Sequence, residues 1–257
     1  MSIGRTLAIA TNVFREAIRD RVLYLVGLYA IVYGLSLRLL PEVSGTADGK
    51  IIPDFGIAII SLVGLVVAIF VGTSLINKEI EKRTVLVLLA KPISRTEFIV
   101  GKHLGLSGVL AVLIFLMTVI YVAGLQFSQI DYSLGAIAIA EFYLFLELSL
   151  ITAVALLFGG FTSSLLATLL SFAIYLVGHL SRDLVALGRL ADNPEVERIT
   201  QGIYLVLPDL ARLDLKNQVV YGLLPDPLTL IANAGYGLLY IVLLLTLAAF
   251  VFARRQF

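Results

Sequence analysis

Residues 77–98 read NKEIEKRTVLVLLAKPISRTEF. The stretch lies between two long apolar runs and is dense in charge, yet it carries an apolar stripe of its own. Taken as helical from Asn77 to Ala90, it places Val85, Leu88 and Leu89 on one face at i, i+3 and i+4, with Glu81 beside them. Glu79, Lys82 and Arg83 fall on another face. Pro92 breaks this helix, because its ring removes a backbone donor and clashes with the preceding turn. Ser94 to Glu97, SRTE, is a capping-box pattern that starts a new helix. A plain connector between membrane spans needs no such two-sided helix. The pattern suits docking into a groove on another protein or lying flat on a membrane surface.

The flanking runs set the class. Of 257 residues, 60% are hydrophobic and only 14% charged, and the mean hydropathy is +1.01. A soluble domain of this length carries far more charge, so the composition reads as an all-α polytopic membrane protein. Six runs are long enough to span: 22–40, stopped by Pro41, then 55–76, 104–125, 134–158, 161–180 and 232–252. Before them, residues 1–21 place Ile3, Leu7, Ala10, Phe14 and Ile18 at helical spacing among Arg5, Arg15, Glu16, Arg19 and Asp20. That is an amphipathic helix suited to the headgroup plane; the bland alternative is a helix packed on the protein itself. Arg5 lies early and no short apolar run with a cleavage site follows, so the start does not read as a cleavable signal. There is no Cys, and His103 and His179 are the only histidines, which leaves no thiol chemistry and no His-rich metal site.

Lys and Arg set the expected orientation. Four precede the first span and six lie in 77–103, namely Lys78, Lys82, Arg83, Lys91, Arg95 and Lys102. Arg254 and Arg255 follow the last span. Both termini and 77–103 are therefore expected on the cytoplasmic side. Residues 181–231 fall outside, carrying five basic and seven acidic residues. Asn193 and Pro194 read as an N-cap and first helical position. Residues 208–222, PDLARLDLKNQVVYG, read as a second short helix ending near Gly222. GIYLVLP is too short to span, so a re-entrant or surface-lying helix is expected.

Two acids fall inside the fourth span. Glu147 is near its middle, where a carboxylate is costly and marks a functional position. Glu141 lies nearer the outer end, about 120° away around the helix. The turn GGFTSS makes spans four and five antiparallel neighbours, so Glu141 and His179 could meet. Glu147, Glu141 and His179 are candidates for gating or for polar contact with a substrate; a structural hydrogen bond inside the bundle is the other reading. An intramembrane protease is disfavoured, because Ser171 and His179 lie about 12 Å apart along one helix and no Gly-x-Ser-x-Gly is present. No basic stripe outside the cytoplasmic loops suggests nucleic acid.

The 77–103 segment resembles the loop between spans two and three of ABC-2 type transporter permeases. That loop runs as an acid, Thr, a Leu pair, Pro, Ser-Arg and Gly-Lys. Here those are Glu79 and Glu81, Thr84, Leu88 and Leu89, Pro92, Ser94 and Arg95, and Gly101 and Lys102. FREAIRDRVLY before span one and FARRQF at the end also resemble the family. YLVGH, closing span five, and the long segment before span six are most like the branch of multicopper-enzyme (nitrous oxide reductase) maturation and gliding-motility permeases.

The resemblance implies a single transmembrane domain over 1–257 in the cytoplasmic (inner) membrane, paired with a second permease chain as a homodimer or with a similar permease. Two copies of an ABC ATP-binding subunit dock on the cytoplasmic side and hold ATP and Mg. The 77–103 segment is then the coupling helix, with Glu79, Glu81, Thr84, Val85, Leu88, Leu89, Pro92 and Arg95 as ATPase-coupling residues. The residues agree with this division of labour. A phosphate-binding loop needs Gly-x-x-x-x-Gly-Lys-Ser/Thr, but Gly101-Lys102 is followed by His103 and position 96 is Thr. No cofactor is expected in this chain, and Gly101 and Lys102 read as a hinge and a snorkelling anchor where the helix enters the membrane. An alternative is an ATPase-driven mechanotransmission or assembly factor acting through 181–231, with an outer-side partner there and no substrate passage.

Overall fold

In the computed structural model the described residues are 2–20, 22–44, 48–81, 94–191 and 193–254. Among them the chain is all-α. Helix α1 covers Ile3–Arg19, α2 Tyr24–Ser44, α3 Asp48–Glu81, α4 Arg95–Phe127, α5 Leu134–Gly159 and α6 Ser164–Leu190. Then come α7 Pro194–Val206, a 3₁₀ turn Leu210–Arg212, α8 Lys216–Val220 and α9 Pro227–Arg254. Six of these, α2 to α6 and α9, are long and apolar enough to cross a membrane. They alternate in direction, so the ends of the bundle differ. One end holds α1 and the start of α4. The other, here the loop end, holds residues 191–226.

Each expected span is present, but the boundaries move. Helix α2 passes through Pro41 to Ser44. The proline falls in the last turn, where it removes one hydrogen bond and disturbs little beyond it. Helix α3 continues through Glu81, so the segment read as a separate helix from Asn77 begins as an extension of span two. At 34 residues, α3 is about 51 Å long, well beyond the roughly 30 Å of a hydrocarbon core. The capping box at Ser94 is present in both halves. Ser94 Oγ accepts from the Glu97 N–H at 3.1 Å, and Glu97 Oε2 accepts from the Ser94 N–H at 3.0 Å.

Helix α5 is the most enclosed span, packed by α3, α4, α6 and α9. Small residues allow this, because lipid gives no hydrophobic drive between helices and close approach must supply the attraction. A Cβ on Gly72 would sit 2.9 Å from Ala155 Cβ, and one on Gly159 would sit 3.2 Å from the Thr73 carbonyl oxygen. Polar side chains add to the α4–α5 contact. His103 Nε2 donates to the Ser149 carbonyl at 3.0 Å, and the Ser107 and Ser149 hydroxyls lie 3.1 Å apart. Toward the loop end, Tyr29, Tyr33 and Tyr121 are fully buried between α2 and α4, with Tyr33 fitted against Gly56 and Gly124.

Helix α1 packs across the first turns of α4. A Cβ on Gly101 would lie 2.8 Å from Ile9 Cβ, and one on Gly105 would lie 2.6 Å from the Ala10 carbonyl oxygen and 2.7 Å from Val13 Cβ. Thr6, Val13 and Ala17 are buried there. The helix therefore docks on the protein along one face, while Ile3 and Leu7 stay exposed. Gly101 is the seat of this crossing and lies in unbroken helix, not at a hinge. Lys102 does not snorkel either. It is 2% exposed and its Nζ donates to the Leu75 carbonyl at 2.7 Å.

The crossing predicts a mutational effect. Gly105→Val places methyl groups where the Ala10 carbonyl and Val13 already stand, at an expected cost of about 1–3 kcal/mol. Thermal unfolding in detergent should show a lower midpoint, and a Cys at Val13 should change from protected to maleimide-reactive.

Candidate functional site

The segment after α7 turns into the bundle instead of lying over it. Leu210, Leu213 and Leu215 are each at most 2% exposed. Gly178 of α6 makes room for the entry: a Cβ there would lie 2.8 Å from both the Pro208 carbonyl oxygen and Leu210 Cγ. Gly237 of α9 does the same for Leu213. The short helix α8 then packs on α3 and α5. Gly222, at φ +68°, ends the segment as the sequence suggests. Residues 207–220 thus form a re-entrant plug. The expected single helix over 208–222 is instead a 3₁₀ turn, a break at 213–215 and α8, because alternating leucines and charges must point to opposite sides.

The plug carries charge to the middle of the spans. Glu147 of α5 is 0% exposed. His179 Nε2 of α6 lies 3.4 Å from Glu147 Oε1 and 3.7 Å from Asp214 Oδ2 of the plug. Lys216 Nζ lies 3.3 Å from Asp214 Oδ2 and donates to Ser61 Oγ of α3 at 3.2 Å. His179 Nδ1 donates to the Tyr175 carbonyl at 3.1 Å, which leaves Nε2 as the nitrogen facing the acids. At 3.4 Å the Glu147–His179 contact is at ion-pair distance, but neither Glu147 oxygen nor His179 Nε2 makes an aligned hydrogen bond. Lys216 Nζ is thus held between the plug's own Asp214 and Ser61 of α3.

A second set of contacts latches the plug's entrance. Asp209 Oδ2 accepts from Arg182 Nε of α6 at 2.8 Å and from Arg212 Nε at 3.0 Å. The Asp209 N–H donates to Tyr236 OH of α9 at 2.8 Å, and the Arg212 guanidinium lies 4.9 Å from the Tyr236 ring centroid. Asp209 is 2% exposed. Its two arginines keep it from being an unpaired buried charge.

Among the residues singled out beforehand, Glu147 and His179 come together and Glu141 does not join them. The expected meeting of Glu141 and His179 is thus replaced by Glu147 and His179. The 120° between the two acids is the reason: with Glu147 facing α6, Glu141 must face elsewhere. It is 7% exposed, within electrostatic reach of Tyr29 and Tyr121. Asp214, Lys216, Ser61, Arg182, Asp209 and Arg212 were not foreseen. The trace of the four on the plug is DLARLDLK, residues 209–216, where leucines alternate with charges of both signs; Ser61 and Arg182 left none.

A family-model match to the ABC-2 family transporter proteins spans residues 40–257. The chain belongs to the ABC-2 transporter family. It is thus a multi-pass membrane permease component of an ABC transporter. Comparison with curated proteins gives no match. In this ABC-2 permease, Thr84, Val85, Leu88, Leu89 and Pro92 lie outside the described residues, and of Glu79 and Glu81 only the backbone, within α3, is described. Arg95 is described, and its guanidinium is turned onto the end of α9. Its guanidinium donates to the Phe252 carbonyl at 3.0 Å and also to the Ala253 carbonyl. These are carbonyls of the last turn of α9, which lack partners inside the helix.

The cluster predicts a charge dependence. Lys216→Met leaves the Glu147 and Asp214 carboxyls without their ammonium. The cost should be about 3 kcal/mol, the low end for a buried pair, because Lys216 is 22% exposed. Adding Glu147→Gln should recover part of the lost thermal stability in detergent, where independent sites would show additive losses.

Proposed function

We propose that this permease moves a substrate across the cytoplasmic membrane with ATP hydrolysed by a separate subunit. Two ATP-binding subunits dock at the α1 end, hold ATP and Mg there, and act on a homodimer of this chain. The family carries the ATPase partnership, and the Lys and Arg asymmetry supports placing both termini and 77–103 inside. The observation that carries the mechanism is the plug. Residues 207–220 sit between α3, α5, α6 and α9 and are held at mid-span by Glu147, His179, Asp214 and Lys216. A tilt of α6 separates His179 from these partners, so closing the ATPase pair would unseat the plug on the outer side. Glu147 and His179 are the gating pair. YLVGH supplies Gly178, which admits the plug, and His179, which meets it. That supports the nitrous oxide reductase maturation and gliding-motility branch.

The latch favours a second reading. Asp209 ties the segment to α6 through Arg182 and to α9 through Tyr236. The outer segment would then travel as one body with those helices and pass motion to an outer partner without admitting a substrate.

Docking through 77–103 is tested by Leu88→Asp and Glu81→Arg. Both should lower ATP hydrolysis by the co-purified complex at least about tenfold, the effect of roughly 1.4 kcal/mol of lost coupling, while membrane insertion is kept. Unchanged hydrolysis in both would remove the coupling role from this face. A disulfide between cysteines at Leu213 and Gly237, in a chain with no native Cys, separates the two readings. Pinning the plug to α9 should stop ATP hydrolysis in the gated permease, with recovery on reduction. In a transmitter, plug and α9 already move together, and hydrolysis should continue.

A further inference from the structure

A cavity of about 630 Å³ lies where α1 crosses α4, at the end of the bundle away from the plug. Its floor is apolar, formed by Ile9 and Val13 of α1 and Phe98 of α4. Its rim is cationic and polar, formed by Arg15, Arg19 and Asn12, all exposed. Arg15 and Arg19 are four residues apart on one helix, so their guanidinium groups reach the same space. Neither makes an ion pair among the described residues. Lys102, also in the lining, lies 4.9 Å from the Phe98 ring centroid and adds positive potential beneath the floor. Glu16 is the one acid of the lining. Three cations against one acid favour an anion.

The shape selects among anions. An apolar floor beneath a pair of arginines suits an amphiphile, since guanidinium forks bind phosphate oxygens in pairs and the floor accepts carbon chains. The cavity volume is in the range that small-molecule headgroups fill. On the same helix, Ile3 is 78% exposed and Leu7 55% exposed. Apolar side chains so exposed at the end of a membrane bundle fit a lipid surface. The glycine crossing at Gly101 and Gly105 fixes α1 at this site, so the cavity is preformed.

We infer that the cleft between α1 and α4 binds the phosphate headgroup of an anionic phospholipid. Arg15 and Arg19 hold the phosphate, and Ile9, Val13 and Phe98 take the first carbons of the acyl chains. A basic pocket between a surface helix and a span is the arrangement by which anionic headgroups are selected over zwitterionic ones. The site is independent of the plug.

Native mass spectrometry of the full chain, purified in mild detergent and supplied with phosphatidylglycerol or phosphatidylcholine, tests this. Phosphatidylglycerol should be retained more strongly, and Arg15→Gln/Arg19→Gln should reduce that preference roughly tenfold or more. Arg189→Gln, at the loop end, should leave it unchanged. Arg15→Lys/Arg19→Lys keeps the charge and loses the forks, and should give an intermediate preference. Equal retention of the two lipids, or a preference that survives Arg15→Gln/Arg19→Gln, would overturn the assignment. Displacement of phosphatidylglycerol by millimolar glycerol 1-phosphate would show a soluble phosphate-ester site and equally refute a lipid site. If the Gln variant does not yield folded protein, the Lys variant decides: a preference equal to wild type counts against phosphate held by the forks.

Discussion

A carboxylate in the middle of an apolar span has to be answered by the protein, because lipid offers it neither water nor a counter-charge. Glu147 is one such carboxylate, and the plug is arranged around it. Helix α6 brings His179, and the plug brings Asp214 and Lys216. Here the cation reaches that depth on a segment that leaves the helical path, turns inward and returns. Such a segment exposes backbone groups, which are tolerated at membrane depth only when buried in protein. Hence the leucines at 210, 213 and 215, and hence the glycines at 178 and 237 that let the backbone in. The ion cluster and the irregular backbone are thus packed in one place.

The opposite end is organised by absence of side chains rather than by charge. Gly101 and Gly105 remove the bulk that would hold α1 away from α4, so two backbones meet at van der Waals distance. Dispersion at such an approach replaces the hydrophobic drive that lipid withholds. The same device joins α3 to α5 at Gly72 and Gly159. The bundle thus has a rigid centre around α5, while α1 lies across one end with two faces in use: a glycine-matched face toward α4 and an apolar, basic face turned outward.

The spans were legible because length and apolarity alone decide them, and the capping box at Ser94 was legible because its hydrogen bonds are local. Glu147 and His179 were legible as costly residues in apolar helices. Their pairing was not, since the height of two residues along antiparallel helices depends on tilt and on the turn between them. The 120° offset between Glu141 and Glu147 was computable, but which face met α6 was not. The plug was half legible. Its end at Gly222 could be read, while the re-entrant turn was looked for in GIYLVLP, most of which lies in α7, and the depth of Lys216 depends on contacts with Ser61, more than 150 residues away. Helix α1 shows a limit of a different kind. Amphipathic spacing reports that one face is apolar, and it cannot distinguish lipid from a glycine groove as the surface which covers that face.

The Arg95 contact has a mechanical consequence. Arg95 opens α4, directly after the 77–94 stretch, and it grips the terminal carbonyls of α9. The far part of α9 carries Tyr236, which holds the Asp209 backbone at the mouth of the plug. A straight helix of this length transmits a push with little loss. A displacement at the start of α4 would thus reach α9 through a single guanidinium, and α9, like a connecting rod, spans the 16 residue steps from Phe252 to Tyr236, some 25 Å at 1.5 Å each, to the mouth of the plug.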